Sequence, residues 1–299
     1  MTTTDIIEYF KENSELVDHF LEEKLVFSES PTLLTNALRY GVIGGGKKLR
    51  ASLLFATAEG YGVSRQDLLP LAAGIEMIHS FSLVHDDLPS MDNDDFRRGK
   101  HSLHKAYGEA MGILAGDALL VEGLKIFVSD PFFPTTLGSR KTVRFLDVLL
   151  GSLGAEGMVG GQVLDVESEG KSVTMEDVYR IYRMKTARFI QAPILCGAIA
   201  GGAPEEEQEK FRTFGILLGE CFQMKDDILD VTGESRTLGK TAGKDFEQEK
   251  ATLIKVVGLD ESLRLMNETF VQAESVLQSI GRPFSVLDEI ARFAISRDH

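Results

Sequence analysis

The chain has 299 residues, 43% of them hydrophobic, and a formal net charge of −14. That is enough apolar material to bury a large core, and too much negative charge to favour nucleic acid or an anionic membrane as a general partner, because the summed field repels polyanions. The two cysteines, Cys196 and Cys221, both in apolar helical context, argue against a disulfide framework or a thiolate metal site and fit buried thiols in a reducing cytoplasm.

Helical periodicity begins at once, with Ile6, Ile7, Phe10, Val17, Phe20 and Leu21 on one amphipathic stripe. Before it, Met1-Thr2-Thr3-Thr4-Asp5 lacks the basic start and apolar centre of a signal peptide. No uninterrupted apolar run reaches the roughly 18 residues that cross a bilayer, so a cytoplasmic protein without a membrane span is expected. Ser30-Pro31 predicts the next helix, with proline at its first position. Gly44-Gly45-Gly46-Lys47-Lys48-Leu49-Arg50 is a cation-rich break. Ser64-x-x-Asp67 and Thr174-x-x-Asp177 have the pattern of capping boxes with Asp in place of Glu.

The apolar helix after Ser64 carries His79, Phe81, Ser82, Leu83 and Val84 into Asp86-Asp87-Leu88-Pro89-Ser90-Met91-Asp92, and Arg97-Arg98 follows. Ser129-Asp130-Pro131-Phe132-Phe133-Pro134, Gly201-Gly202-Ala203-Pro204 and Gly281-Arg282-Pro283 interrupt the periodicity. A second apolar run with Ile216, Leu217, Leu218 and Phe222 ends in Asp226-Asp227-Ile228-Leu229-Asp230, and the polar, glycine-rich stretch from Thr232 to Asp245 reads as a loop. Strand-like alternation is hard to find and there is no fixed-period repeat, which predicts one all-α domain over residues 1–299 with about ten or more helices.

The two aspartate clusters carry the chemistry. Acidic residues at the ends of apolar helices need cations, and hard oxygen ligands suit Mg²⁺, which bridges protein carboxylates to substrate phosphates. Asp226 and Asp230 lie about 40° apart on a regular helix, whereas Asp86 and Asp92 would stand about 240° apart and face away from each other. Pro89 therefore predicts a helix end or bulge between Leu88 and Met91 that returns Asp92 to the side of Asp86. The bland alternative is a solvated acidic helix end, plausible for one cluster and poor for two. Lys47, Arg50, Arg97-Arg98, Lys185-Thr186, Lys240 and Lys250 stand in or beside breaks, where cations and backbone N–H groups can converge on phosphate.

Rival readings fit fewer of these residues. Gly41-x-x-x-x-Gly46-Lys47 matches the start of a P-loop, but Lys48 occupies the place of the Mg²⁺-binding Ser or Thr and the preceding run is helical. His79 with His85-Asp86 has the pattern of all-α metal phosphohydrolases, yet that reading leaves the second cluster unused. His79 on its own is equally compatible with an ordinary helix histidine.

Taken together, the motifs resemble those of the trans-isoprenyl diphosphate synthases, the polyprenyl synthetase family, in their bacterial farnesyl diphosphate synthase type. The resemblance runs from Gly44-Gly45-Gly46-Lys47-Lys48-Leu49-Arg50 through Asp86 to Gly99, Gly160-Gly161-Gln162-x-x-Asp165, Lys185-Thr186 and Phe222-Gln223-x-x-Asp226-Asp227-x-x-Asp230 to the terminal Ile295-Ser296-Arg297-Asp298-His299. Ala51 departs from the usual proline and Lys225 from a frequent glutamine.

The resemblance implies a helical bundle around a central cavity, usually a homodimer, that condenses isopentenyl diphosphate with an allylic diphosphate. It assigns three Mg²⁺ to Asp86, Asp92 and Asp226, with Asp87 and Asp230 assisting. Arg97, Lys185 and Lys240 would hold the leaving diphosphate. Gly46, Lys47, Arg50, His79, Arg98 and Lys250 would belong to substrate binding, and Thr186 and Gln223 would face the allylic cation. Phe81, roughly 7.5 Å along the helix from Asp86, with small Ser82 beside it, is a candidate floor for the growing chain, ordinary core packing being its alternative. In the resembled family this pattern goes with the fifteen-carbon product, farnesyl diphosphate. Geranylgeranyl diphosphate is next, a class I terpene cyclase is a more distant alternative, and a non-catalytic accessory subunit is disfavoured by two complete clusters.

Overall fold

Two helices with almost no polar face organise the molecule. In the computed structural model, which describes residues 3–129, 138–232 and 250–297, α3 (Leu49–Glu59) is buried from Arg50 to Ala58 and α10 (Arg188–Ala200) at every residue except Arg188 and Gln191. A helix that is apolar all round has to be enclosed. On one side of the pair, α1 (Thr3–Lys24), α2 (Thr32–Val42), α4 (Arg65–Asp86), α5 (Leu103–Tyr107), α6 (Glu109–Ser129) and α7 (Ser139–Leu153) close a core that includes Leu54, Phe55, Phe127, Phe145 and Phe189. On the other side, α9 (Met175–Ile181), α11 (Glu205–Thr232), α12 (Leu253–Val257), α13 (Leu259–Gln278) and α14 (Ser285–Ser296) enclose Leu53, Ile190, Ile194, Phe211 and Phe214. Truncating one such buried phenylalanine to alanine costs about 3–5 kcal/mol. The expected all-α architecture is the observed one.

The helix that carries the first cluster is fixed by backbone contact. A Cβ on Gly74 would lie 2.8 Å from the Gly123 carbonyl oxygen, and one on Gly123 would lie 2.9 Å from that of Gly74. Helices α4 and α6 therefore meet at a point where no side chain fits between them. By length and composition α4 could cross a membrane, but most of it is buried inside the protein. It is a core helix whose apolar run is interrupted by polar residues such as Glu76 and His79.

Several boundaries differ from the sequence expectation. Pro31 caps α2 and Thr32 starts it, one position later than predicted. Thr174 and Asp177 form the full reciprocal capping box, whereas Ser64 only accepts from the Gln66 N–H. A two-residue hairpin, β1 (Phe96–Arg97) paired antiparallel with β2 (Lys100–His101), appears where no strand was anticipated. Its turn residues Arg98 and Gly99 both have positive φ, 53° and 74°, the geometry of the tight hairpin turn whose twist matches the strands.

Lys185 and Thr186, expected at a break, instead sit in a π-helical turn, Tyr182–Ala187, that joins α9 to α10 without interruption. Such single turns widen the helix locally and re-aim side chains. A Cβ on Gly161 of α8 (Met158–Ser168) would lie 2.2 Å from the Lys185 backbone nitrogen, so α8 presses directly on this turn.

Candidate active site

Helix α4 ends at Asp86, two residues before the predicted break, and the chain then folds back on itself. The Asp92 N–H donates to the Asp86 carbonyl at 2.8 Å, the Asn93 N–H to Leu88 at 3.1 Å and the Asp94 N–H to Asp87 at 3.2 Å. Asn93, at φ 49°, takes the left-handed conformation this reversal needs. Asp92 thereby returns to Asp86, as the spacing and Pro89 required. Both face a cavity of about 190 Å³ shared with Asp226 and Asp227 of α11, and Asp94, Arg97, Asp165, Lys185, Gln223 and Lys250 also line it.

Protein cations neutralise these carboxylates. Lys250 reaches Asp92 at 2.9 Å, Lys185 reaches Asp165 at 2.5 Å, and Arg297 of the C-terminal segment reaches Asp226 at 2.6 Å. The Arg297 guanidinium also lies 3.9 Å from the centre of the Phe222 ring. Burial lifts the Asp86 carboxyl to about 6, against the opposing pull of Lys185. Burial works in the same direction on Asp92, but Lys250 and Lys185 outweigh it and hold that carboxyl below its ordinary value. For Lys185, the desolvation that would free its proton is overcome by Asp165, Asp86 and Asp92, so its ammonium is held charged.

The remaining expected residues divide. Asp87 is buried and bound by Arg97, Nε to Oδ1 at 3.0 Å and to Oδ2 at 3.3 Å. It borders a smaller recess beside Gly44, Gly45 and Arg98 instead of the carboxylate cavity. Adjacent helix residues point about 100° apart, which explains why Asp86 and Asp87 serve different sides. Asp230 is buried on α11 and is not among the lining residues of the carboxylate cavity. Thr186 donates to the Gln223 side-chain oxygen at 2.7 Å, and Gln223 donates to Asp227 at 3.0 Å, so the Gln223 oxygen expected to face a cation is already engaged. Asp227 is further held by the Tyr182 hydroxyl, which accepts from the Leu253 N–H at 3.0 Å. Lys240 and most of the Thr232–Asp245 loop lie outside the described residues.

A second cationic nest adjoins the first site. The Arg50 guanidinium sits 4.7 Å from the centre of the Phe189 ring, and His79 meets the same ring edge-on at 6.4 Å. Arg98 donates to the Gly45 carbonyl at 3.1 Å and packs on Gly46, where a Cβ would come within 2.8 Å of its guanidinium carbon. Burial, and then Arg50, Arg98 and Lys48, drive His79 well below its ordinary pKa, so it is neutral. Burial also lowers Arg50 to about 10. The buried Arg50 Nε and His79 Nδ1 have no hydrogen-bond partner. Orphaned polar atoms of this kind need a ligand or water to explain them. Lys47 lies apart, with its ammonium 4.7 Å from the centre of the Phe293 ring.

Sequence reasoning passed over Tyr182, Asp165 as a lysine anchor, and Arg297. Asp165 and Arg297 had a signal, in the Gly160-Gly161-Gln162-x-x-Asp165 motif and the terminal Ile295-Ser296-Arg297-Asp298-His299 segment; Tyr182 had none. Among the described residues no group of three carboxylate, histidine or cysteine side chains converges closely enough to hold a metal by itself. The donor set still fits a hard divalent cation, because Asp86, Asp92 and Asp226 offer oxygens from two sides of a cavity in which phosphate and water oxygens would complete the shell.

The chain is similar over its whole length to known proteins. It is 35% identical over 297 residues to the farnesyl diphosphate synthase of Bacillus subtilis (strain 168), covering 99% of this chain and 100% of the relative. It is 41% identical over 276 residues to the chloroplastic geranylgeranyl pyrophosphate synthase of Catharanthus roseus, covering 91% and 76%. A crystal structure of geranyltransferase from Helicobacter pylori, complexed with magnesium and isoprenyl diphosphate, superposes with a TM-score of 0.84 at 28% identity, covering 99% of this chain and 98% of that one. The polyprenyl synthetase family model matches residues 31–288. With facing aspartate clusters at its centre and this likeness from end to end, the chain belongs to the polyprenyl synthetase family and is a prenyltransferase.

Proposed function

We propose that the enzyme condenses isopentenyl diphosphate head-to-tail with dimethylallyl or geranyl diphosphate in the presence of Mg²⁺, and that its main product is farnesyl diphosphate. The observation that carries this is the asymmetry between two adjoining sites: a cavity with carboxylates from both clusters, and a nest of Arg50, Arg98 and neutral His79 in which Arg50 Nε and His79 Nδ1 are unpartnered. A class I cyclase, with one diphosphate to bind, has no use for the second. The relatives carry both farnesyl and geranylgeranyl names. The aromatic Phe81 five residues before Asp86 favours the shorter product.

Asp86, Asp92 and Asp226 would hold Mg²⁺, which when bound would neutralise charge on the leaving diphosphate. Lys185 and Arg97, which line the same cavity, add fixed positive charge where negative charge develops as the allylic C–O bond breaks and the diphosphate leaves with the electron pair. Asp87 and Asp165 orient these two cations. Arg50, His79 and Arg98 hold the second diphosphate so that the isopentenyl double bond attacks the allylic carbon. Thr186 gives its hydrogen to Gln223 and so steadies the Gln223 side chain, which lines the cavity. The released diphosphate takes the proton lost from the new chain, so the scheme needs no side-chain base. The same assignment gives a homodimer, supported by Ile113, Leu114, Val121 and Val128 of α6 and Val143 and Leu150 of α7, all exposed and apolar.

Incubating labelled isopentenyl diphosphate with dimethylallyl diphosphate and Mg²⁺, then separating products by chain length, tests the proposal. A fifteen-carbon product that disappears with chelator is expected. No elongated product from any allylic primer would overturn it.

A further inference from the structure

The flank of α4 that faces α6 holds a side-chain stack that the reaction scheme leaves unused. Phe81 does not border the carboxylate cavity; its ring meets His85 edge-on, with centroids 4.9 Å apart at 72°. Side chains on a helix lean toward its N-terminus, so the imidazole of His85 lies over the turn that carries Phe81, on the Asp86 side of that ring. His85 is itself pinned to α6. Its Nε2 is 3.1 Å from the Ile113 carbonyl oxygen, which can only accept, so the hydrogen resides on Nε2. Asp117 Oδ1 stands 3.8 Å from the same nitrogen.

The imidazole occupies the space of an absent side chain. A Cβ on Gly116 would lie 2.2 Å from His85 Nε2 and 2.3 Å from Cδ2. Gly116 therefore provides the notch, Ile113 the anchor, and His85 the face against which Phe81 rests. The geometry points to His85 and Gly116 as positioning residues that set where the Phe81 ring stands, and through it the length of the prenyl product. This rests on the assignment of Phe81 as the floor.

The two residues act in opposite directions. Without the imidazole, Phe81 turns into the vacated notch and the chain running from Asp86 gains depth. With a methyl at position 116, the imidazole is expelled from α6 into the path of that chain, which shortens.

The test compares Phe81→Ala, His85→Ala and Gly116→Ala with the wild type at matched low conversion, scoring the ratio of ten-, fifteen- and twenty-carbon products. That ratio is independent of turnover and is not moved by a purely structural defect. His85→Ala is expected to raise the twenty- to fifteen-carbon ratio at least about fivefold, the scale that loss of one aromatic edge contact allows. Gly116→Ala is expected to raise the ten-carbon share. If Phe81→Ala lengthens the product while His85→Ala and Gly116→Ala keep the wild-type distribution, the positioning role is overturned and the floor stands. If Phe81→Ala also leaves the distribution unchanged, the floor falls and the positioning role with it, while the prenyltransferase reaction is untouched. Should Gly116→Ala fail to fold, His85→Ala decides alone, because it removes volume instead of adding it.

Discussion

Replacing Asp86 by asparagine should stabilise the metal-free protein while abolishing its turnover. The native Asp86 carboxyl, raised by burial to about 6 from 3.8, holds its proton where the unfolded chain has released it. Between pH 4 and 6 the native state thus binds more protons, so this group's contribution is fully present below about pH 4 and is lost as pH rises through 6. About two pH units at 1.4 kcal/mol each give roughly 3 kcal/mol, and because Asp86 borders cavity water, screening reduces this to about 1–2 kcal/mol. For a chain of 299 residues that is a rise in Tm of about 2–3 °C at pH 7.5. Thermal melts of wild type and Asp86→Asn from pH 4 to 8 measure it. The gap should be widest above pH 6 and close near pH 4. Adding Mg²⁺ with inorganic diphosphate should raise the Tm of the wild type and not of the variant. Equal Tm values across the whole pH range would refute a desolvated, ionised Asp86.

Gly161→Ala should push α8 off the π turn, since its Cβ would lie 2.2 Å from the Lys185 nitrogen. A loss of about 3 kcal/mol in urea unfolding, together with a fall in kcat as Lys185 leaves Asp165, is expected; a variant normal in both would refute the contact. Ala51→Pro, although it restores the residue more usual at this place, should cost about 1–3 kcal/mol. The Ala51 N–H donates to the buried Glu76 carboxylate at 3.0 Å, and proline would leave that oxygen short of a donor. Denaturant midpoints at unchanged slope check this, and a neutral or stabilising effect would show that Glu76 finds another partner.

Much of the site was legible because its chemistry lies in short motifs with their own geometry. A proline just past the end of an apolar run does not continue that helix, and the return of Asp92 to Asp86 follows from it. Arg50 and Arg98 were likewise readable as cations in an acidic chain, whereas His79 joined them only through the family resemblance. The family resemblance gives Asp87 an assisting part in metal binding beside Asp86, whereas helical geometry turns adjacent residues to different sides. The hairpin at Phe96–His101 was invisible because two residues per strand show no alternation. Arg297 could not have been paired with Asp226 from sequence, since 71 positions separate them and only the packing of α14 brings them together.

The π turn at Tyr182–Ala187 makes the chain sensitive to length as well as to identity. A π turn accommodates one more residue than an α turn, and each helical residue is rotated by about 100° from the one before it. Deleting any single residue there would restore an ordinary helix of intact composition. Tyr182 on one side and Thr186 on the other would then no longer both reach the Asp227 and Gln223 pair they now share. The register of two helices against the second aspartate cluster is thus stored in a count of residues, at a place where conservative substitution would leave it intact and a one-residue gap would not.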